Sequence, residues 1–319
     1  MADDDVDLDL LRESARAFLA DRGEKDSVKG LAAMDWTGLL VEERLGGAGW
    51  RPVEACVIAE ELGRARDGSA WLGTAVAAAA VASAPDVIRD RWLAALLDGT
   101  ATAGVTAAGN IVRVVRGDEV DILVTLRHNG IYLVNVSDSQ WCRPDDDLLD
   151  ATRGVCLIDI ADAPSGLIGS PERADQLLAV ARLLVSADSV GAVSITQQRL
   201  TAYLKERIAF GAPIASFQAV QHRLVELLVF EVKARAVVMK AARAAAAEDA
   251  RVTELTAVAH AFVAAKATAA VDECMQLSGG IGFTWEYPLH HELRRVFSNA
   301  QLLGTARSSR ALLAEVSGW

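Results

Sequence analysis

The sequence predicts an α+β protein that is mostly helical, with a small antiparallel β-domain between two helical regions. Apolar residues recur at helical spacing before residue 102 and after residue 173. Alanine, the strongest helix former, fills long stretches of both regions. Between them the apolar period falls to two, in segments rich in Val and Ile. We therefore predict an N-terminal helical domain over residues 1–101, a shortened β-domain over 102–172 and a C-terminal four-helix bundle over 173–319.

Four helical segments are predicted in the N-terminal domain. The first has an apolar stripe over residues 8–19 at i, i+3, i+4 and i+7 spacing. The second covers residues 54–65 and follows a glycine-rich loop, in which Pro52 suits a first helical turn. The third and fourth cover residues 75–84 and 87–97.

Four alternating segments predict the strands of the β-domain: IVRVVRG, VDILVTLR, GIYLVNVS and GVCLIDI. Gly117-Asp118 and Asn129-Gly130 lie between them and are typical of hairpin turns. We expect one small antiparallel sheet domain here.

The C-terminal region is predicted to be helical with few breaks. A long helix begins near residue 174 and continues to about residue 208, where the sequence GAPI ends it. Further helices are predicted over residues 217–247, 254–277 and 301–316, the second of these ending at Gly279-Gly280. These four helices form the predicted bundle.

Composition excludes several classes of function. A net charge of −11 argues against a nucleic-acid partner, although a local arginine or helix N-terminus can still hold a phosphate. The four cysteines form no CxxC pair, so we expect neither a zinc site nor a disulfide framework. The N-terminus is acidic, unlike a signal peptide, and the longest apolar run is too short for a bilayer. We expect a soluble cytoplasmic protein that does not bind membranes.

Isolated candidate side chains do not assemble into another site. His290-His291 has no third metal ligand in view. Ser308-Ser309 has no His-Asp context for a nucleophile. His222 is interpreted as a residue on a helix face rather than a base.

Three segments resemble motifs of the acyl-CoA dehydrogenase family, and together they extend over most of the chain. Residues 34–65, MDWTGLLVEERLGGAGWRPVEACVIAEELGRA, are similar to the family's Pro-Glu-x-x-Gly-Gly-x-Gly segment and Glu-Glu-Leu-Gly helix. Residues 205–227, KERIAFGAPIASFQAVQHRLVEL, resemble Arg-x-x-Phe-Gly-x-x-Ile-x-x-Phe-Gln. Residues 276–296, QLSGGIGFTWEYPLHHELRRV, resemble Gln-x-x-Gly-Gly-x-Gly-x-x-x-Glu-Tyr-Pro.

The resemblance implies both a fold and a reaction. The fold is a helical domain, a β-barrel-like domain and a four-helix bundle, assembled into dimers or tetramers. FAD lies between two subunits, with its isoalloxazine on one β-domain and its pyrophosphate and adenosine on the neighbour. A glutamate removes the α-proton of an acyl-CoA thioester, and flavin N5 takes the β-hydride.

Carried over residue by residue, the resemblance implies a cofactor surface that serves a neighbouring subunit. Arg207 matches the arginine near the pyrophosphate, which a guanidinium fork suits. Phe210 matches an aromatic that packs on the cofactor, and Gly279 and Gly280 match glycines that let backbone N–H groups approach it. The other matching positions are Phe217, Gln218, Gln276 and Thr305.

The chain departs from the family on its own flavin side and at the catalytic base. Where the family has Thr-Glu-Pro-x-x-Gly-Ser-Asp, this chain has GVTAAGNIVRVV, which keeps only Thr106, and no Trp-Ile-Thr segment follows. Leu303 occupies the usual glutamate position in QLLGT, and Ala181 occupies the alternative position on the long helix. Neither side chain accepts a proton, so we expect no catalytic base; Asp188 and Glu206 stay open as other acids.

Three functions fit this pattern. The first is the subunit without the base in a heteromeric α2β2 acyl-CoA dehydrogenase, which resembles the steroid side-chain-degrading enzymes of actinobacteria. A glutamate-bearing partner would share the FAD, and an electron-transfer flavoprotein would accept the electrons. The second is a homomeric flavoenzyme with altered chemistry. The third is a non-enzymatic scaffold, which would not need the Arg-x-x-Phe-Gly and Gln-x-x-Gly-Gly elements.

Overall fold

The N-terminal region is helical, as its periodicity predicts. The computed structural model describes residues 7–22, 27–107, 109, 111–136, 142–144, 150, 152–161, 163 and 165–318. Asp7 begins the first helix by accepting hydrogen bonds from the N–H groups of Asp9 and Leu10, at 3.0 and 3.1 Å. Pro52 occupies the first turn of the third helix, where its missing N–H costs nothing. The helices of this region are α1 (Leu8–Asp21), α2 (Val28–Ala32), α3 (Pro52–Ala65), α4 (Trp71–Ala82) and α5 (Asp86–Leu97).

The described β-domain contains two sheets. Their strands are β1 (Ala103–Ala107), β2 (Ile111–Val115), β3 (Ile122–Arg127), β4 (Gly130–Asn135), β5 (Cys142–Pro144), β6 (Val155–Asp159) and β7 (Ser165–Gly169). One sheet has the order β1-β3-β4-β7 and the other β2-β6-β5. The described pairs are antiparallel except β1 with β3, which run parallel with Ala103 opposite Ile122.

One predicted turn connects a hairpin and the other does not. Asn129-Gly130 lies between β3 and β4, which pair directly. Gly117-Asp118 lies in a turn between β2 and β3, but these strands belong to different sheets, so the predicted hairpin there is wrong. The physical reason is that β2 pairs with β6, forty residues later, rather than with its neighbour in sequence.

The C-terminal region is a helical bundle around one very long helix. Its elements are α6 (Pro171–Glu206), the short strands β8 (Ile208–Ala209) and β9 (Ala212–Pro213), α7 (Gln218–Ala246), α8 (Val252–Ser278), α9 (Leu289–Leu302) and α10 (Ala306–Val316). The predicted single helix over residues 301–316 is wrong. Gly304, with φ of 112°, separates α9 from α10, because that backbone conformation does not continue a helix.

The main core joins the N-terminal helices to the bundle, and a smaller core lies inside the β-domain. Two helices, α6 and α8, are long and apolar enough to span a membrane by length and composition alone. The apolar window of α6 is 78% buried inside the bundle and that of α8 is 50% buried. Packing in the bundle therefore accounts for the apolar character of α6.

Candidate cofactor surface and cleft

Arg207 is the C-cap residue of α6. It is also the first residue of the predicted cofactor surface, whose first part comprises Arg207, Phe210, Phe217 and Gln218. Its N–H donates to the carbonyl of Tyr203 at 2.9 Å, and its own carbonyl accepts from the N–H of Ile214 at 2.9 Å. These backbone bonds fix the position of the residue, while its side chain is exposed. The guanidinium is therefore available for a ligand outside the bundle.

Phe210 is held in an unusual conformation at the tip of the β8–β9 hairpin. Its φ is 54° and that of Gly211 is 80°, as a two-residue primed turn requires. The phenyl ring is 98% exposed, and among the described residues its ring neighbour is Phe217, edge-on with ring centroids 6.3 Å apart. A strained, solvent-exposed aromatic is unfavourable for the isolated chain and indicates a functional contact.

The C-terminal end of α8 carries the second part of this surface. Gln276, Gly279 and Gly280 are exposed, and Gly279 has φ of 69°, which requires glycine. A Cβ added at Gly279 or Gly280 would meet no atom within 4 Å. The space beside both glycines is therefore empty in this chain, and a ligand could approach their backbone closely.

The two parts lie at the same end of the bundle. An Arg223–Glu273 ion pair joins the start of α7 to the end of α8. The rings of Tyr203 and Tyr287, 5.6 Å apart, join the end of α6 to the segment after α8. The structure thus brings together Arg207, Phe210, Phe217, Gln218, Gln276, Gly279 and Gly280.

The two positions predicted for a base lie in or beside a different cleft, between the bundle and the β-domain. It has a volume of about 570 Å³ and is lined by β1–β3, α6, α8, residues 301–304 and α10. Leu303 lines it and is 1% exposed, while Ala181 is fully buried in the main core and is not part of the lining. The Nε of Arg182 donates to the carbonyl of Leu303 at 3.0 Å. Both positions are apolar, as the sequence predicts.

Thr305 lies at this cleft rather than at the end of the bundle. Its hydroxyl accepts from the N–H of Ser308, and its own N–H donates to the Ser308 hydroxyl, which forms a capping box for α10. The neighbouring Ser309 contacts His260 of α8, sixteen residues before Gln276. At 1.5 Å per residue, His260 and Gln276 are about 24 Å apart along α8. Within one chain, Thr305 therefore lies far from the other predicted cofactor residues.

The two acids left open by the sequence lie outside the cleft lining. Asp188 accepts from Arg295 at 2.6 and 2.9 Å and from Asn299 at 2.6 Å. Burial opposes its charge, but Arg295 and these hydrogen bonds lower its pKa on balance. Glu206 is exposed at the last turn of α6. Neither carboxylate lines this cleft, but Asp188 lines a smaller neighbouring cavity together with Leu303.

Asp175 and His128 are cleft residues that the sequence analysis missed. Asp175 precedes Arg182 by seven residues, or two turns of α6, and this spacing places both on one helix face. Burial raises the pKa of Asp175, and the charge of Arg182 opposes that shift. The seven-residue spacing in the sequence could have indicated that Asp175 and Arg182 share a helix face. No sequence pattern indicates that His128, in the β3–β4 turn, also lines the cleft.

The structure also brings a histidine to Ser309. The Nδ1 of His260 lies 2.8 Å from Ser309 Oγ, although no histidine was expected there. Both side chains are buried, and burial lowers the pKa of His260 to about 4. No acid among the described residues completes a triad, so this pair is a buried polar contact rather than a nucleophile.

Metal and thiol chemistry receive no support from the described part of the chain. No cluster of three or more His, Cys, Asp or Glu side chains that could hold a metal occurs there. Cys56, Cys156 and Cys274 are buried, and burial raises the pKa of Cys274 to about 12. The side chain of Cys142 lies outside the described residues.

Comparison with known proteins identifies the family. Residues 7–100 match the acyl-CoA dehydrogenase N-terminal domain and residues 172–318 match its C-terminal domain. The acyl-CoA dehydrogenase IpdE2 of Mycobacterium tuberculosis is 33% identical over 308 residues, which cover 94% of this chain and 90% of that protein. The chain belongs to the acyl-CoA dehydrogenase family. IpdE2 of Mycolicibacterium smegmatis is similar at 32% identity, covering 97% of this chain and 98% of that protein.

Solved acyl-CoA dehydrogenases confirm the predicted fold class. The Tcur3481–Tcur3483 steroid enzyme, a G363A variant, has a TM-score of 0.83 at 24% identity and covers 98% of this chain and 97% of its own. The ChsE4–ChsE5 complex of Mycobacterium tuberculosis has a TM-score of 0.81 at 19% identity, covering 98% and 97%. A glutaryl-CoA dehydrogenase of Mycobacterium smegmatis in complex with FADH2 has a TM-score of 0.82 at 18% identity, covering 99% and 95%.

Proposed function

We propose that this chain is the subunit without the catalytic base in a heteromeric FAD-dependent acyl-CoA dehydrogenase. It completes the FAD site of a glutamate-bearing partner subunit, in an assembly that we expect to be α2β2. One observation carries the proposal: Arg207, Phe210 and Gln276 are exposed at the end of the bundle, while both base positions, Leu303 in the cleft and Ala181 in the core, are apolar.

The residues at the end of the bundle suit a dinucleotide that approaches from outside the subunit. The exposed Arg207 guanidinium would pair with the pyrophosphate, since its planar fork matches such anions. Phe210 and Phe217 would pack on the cofactor, and Gln218 and Gln276 would hydrogen-bond to it. When bound, FAD supplies the hydride acceptor for the reaction.

The chain's own contribution to the reaction is binding and orientation. The side chains of Leu303 and Ala181 cannot accept a proton, so the partner would supply the glutamate that removes the α-proton. The substrate would be an acyl-CoA thioester, with a steroid side chain or another bulky lipid as its acyl group. An electron-transfer flavoprotein would take the electrons.

The names of two structural neighbours support an assembly of unequal subunits. Tcur3481–Tcur3483 and ChsE4–ChsE5 each pair two different chains, and the first is a steroid enzyme. The homomeric alternative would require a different base, and Asp175 is the acid that the described cleft lining offers. Asp175 is exposed near the N-terminal end of α6 rather than enclosed in the cleft. An exposed carboxylate is a poor candidate for the base, and this favours the heteromeric proposal.

The proposal is tested by substituting Arg207 in the purified complex. Arg207→Ala is expected to weaken FAD binding roughly ten- to hundredfold, because charge-assisted hydrogen bonds contribute about 1.5–3 kcal/mol. The ratio of flavin absorbance to protein would fall accordingly. Arg243→Ala, an exposed arginine at the opposite end of α7, is the matched control and should leave the ratio unchanged. Full FAD occupancy in Arg207→Ala would remove this residue from the cofactor site.

A further inference from the structure

The outer side of α7 carries a continuous row of exposed apolar residues, which we call the α7 stripe. Its members are 43–57% exposed and follow one another at i, i+3, i+4 and i+7, so they lie on one helix face: Val225, Leu228, Val229 and Val232. Single exposed apolar residues are normal on a protein surface. Four adjacent ones on one helix form a patch of the kind that marks a contact with another protein.

The α7 stripe is separate from the face that holds α7 in the bundle. The opposite side of the helix packs against α3, α6 and α8 inside the chain. Its buried residues include Leu227, Ala234 and Val238. Within the part of the chain that the structure describes, α7 therefore has a packed inner face and an uncovered apolar outer face.

Two charged residues border the α7 stripe on the same flank. Glu226 and Lys233 are exposed and seven residues apart, or about two turns of the helix. Neither forms an ion pair with a described residue, whereas Arg223 pairs with Glu273 and Arg235 pairs with Glu231. The flank thus carries one free negative and one free positive charge.

These charges make the stripe complementary to a second copy of itself in one orientation. An antiparallel copy, related by a two-fold axis near residues 229 and 230, brings each Glu226 level with the Lys233 of the other copy. The same axis passes within about 1.5 Å, or one residue, of the centre of the stripe. A parallel copy would instead place Glu226 opposite Glu226 and Lys233 opposite Lys233, which is repulsive.

We propose that two copies of this chain associate through antiparallel contact between their α7 stripes, with two Glu226–Lys233 ion pairs beside the apolar centre. In the α2β2 assembly this contact joins the two subunits that lack the base. Packed helices cross at an angle and separate on either side of the crossing point. Gln218 lies eleven residues before Val229, or about 16 Å along the helix, so the copy leaves the cofactor surface to the partner subunit.

The test is analytical ultracentrifugation of the purified full-length chain over a concentration series. We expect a reversible dimer. Val229→Asp is expected to raise the dimer Kd at least about tenfold, because it places a carboxylate from each copy in the apolar centre.

Charge reversal tests the orientation of the contact. Glu226→Lys and Lys233→Glu should each raise the dimer Kd about three- to thirtyfold, since the two-fold axis turns two opposite-charge pairs into like-charge pairs. The double variant exchanges the two charges and re-forms both pairs, so its Kd should return to within about threefold of wild type.

Val87→Asp, at an 80% exposed position of α5, is the matched control and should leave the dimer Kd unchanged. Circular dichroism on each variant confirms folding. A monomeric wild-type chain, or a double variant as weak as the single reversals, overturns the inference. So does a Val229→Asp chain that still dimerises but no longer retains the partner subunit. The inference does not depend on flavin binding, and flavin content in Arg207→Ala tests the proposed function separately.

Discussion

Phe210 is a locally unfavourable residue on the proposed cofactor surface. Positive φ is rare for an aromatic residue, and glycine or asparagine would adopt it with less strain. Its ring gains little from burial in this chain because it is 98% exposed. Neither the backbone nor packing within the chain therefore accounts for a phenylalanine here, whereas the proposed contact with an external cofactor would.

Phe210→Gly is expected to leave the free energy of unfolding unchanged or raise it by up to about 1 kcal/mol, because strain at φ of 54° is relieved. Flavin content of the complex should fall, since the aromatic contact is lost. Chemical denaturation and flavin absorbance measure the two effects on the same samples.

Glu248→Gly is the control for this substitution, because Glu248 has φ of 50° and is exposed between α7 and α8. It relieves similar strain far from the predicted surface and should not alter flavin content. If both variants retain full flavin, Phe210 has no role at the cofactor.

At the scale of elements, α3 and α6 approach each other closely at two glycines. A Cβ at Gly63 would lie 2.0 Å from the carbonyl oxygen of Asp188, and a Cβ at Gly191 would lie 1.8 Å from that of Glu60. Both obstacles are backbone atoms of packed helices, which cannot move independently. The small side chains therefore fix how the N-terminal domain packs on the bundle.

Gly191→Ala is expected to lower the free energy of unfolding by about 1–3 kcal/mol, because overpacking outweighs the better helix propensity of alanine, worth about 1 kcal/mol. Thermal or chemical denaturation gives the value. Gly166→Ala is the control, since a Cβ there meets no atom within 4 Å. A Gly191→Ala variant as stable as wild type would contradict this account of the α3–α6 contact.

Sequence patterns predicted the elements that have strong periodicity and missed those that lack it. Helix α1 follows its apolar stripe, and α3, α6, α7 and α8 lie where apolar, alanine-rich sequence has few breakers. Strands β1 and β7, with the sequences AGVTA and SGLIG, are rich in small residues and carry little strand propensity. The break between α9 and α10 depends on the backbone at Gly304, which apolar spacing does not report.

The residues at the end of the bundle were predictable from the sequence, whereas the residues that line the cleft were mostly not. The residues at the end of the bundle come from two motifs with fixed spacing, and the structure brings them together. The cleft depends on contacts between distant elements, such as His128 with α6, and these carry no local pattern. For this reason His128 was not identified from the sequence.

At the scale of the whole molecule, a buried polar network connects the three regions of the chain. Arg295 of α9 pairs with Asp188 of α6 and donates to the carbonyl of Asp67 in the N-terminal region at 2.8 Å. Asn299 bonds to Asp188 and accepts from Arg153 of the β-domain at 2.7 Å. Such networks fix the relative positions of the elements they join, because unpairing one member leaves buried charge.

Asp188→Asn is expected to lower the free energy of unfolding at pH 7 by about 3–5 kcal/mol, since it leaves Arg295 buried without its counter-ion. The pKa of Asp188 is lowered in the folded state, so its contribution is present above the unfolded value of about 3.9 and is lost as pH falls below it. The difference between wild type and Asp188→Asn should therefore be constant above about pH 5 and shrink below about pH 4.

Urea denaturation across this pH range measures the effect. Asp90→Asn, an exposed aspartate on α5, should change stability by less than about 0.5 kcal/mol. A stability difference for Asp188→Asn that stays the same down to pH 3 would show that the carboxylate is not held ionised by the network.

We propose that this chain provides part of a FAD site but no complete site of its own. The most direct measurement is the flavin absorption spectrum of the chain purified alone and of the chain co-purified with the product of an adjacent dehydrogenase gene. We predict no stoichiometric flavin in the chain alone, and one FAD per pair of unequal subunits in the complex, together with acyl-CoA oxidation. A lone chain that carries one FAD per subunit and oxidises acyl-CoA thioesters would contradict the account.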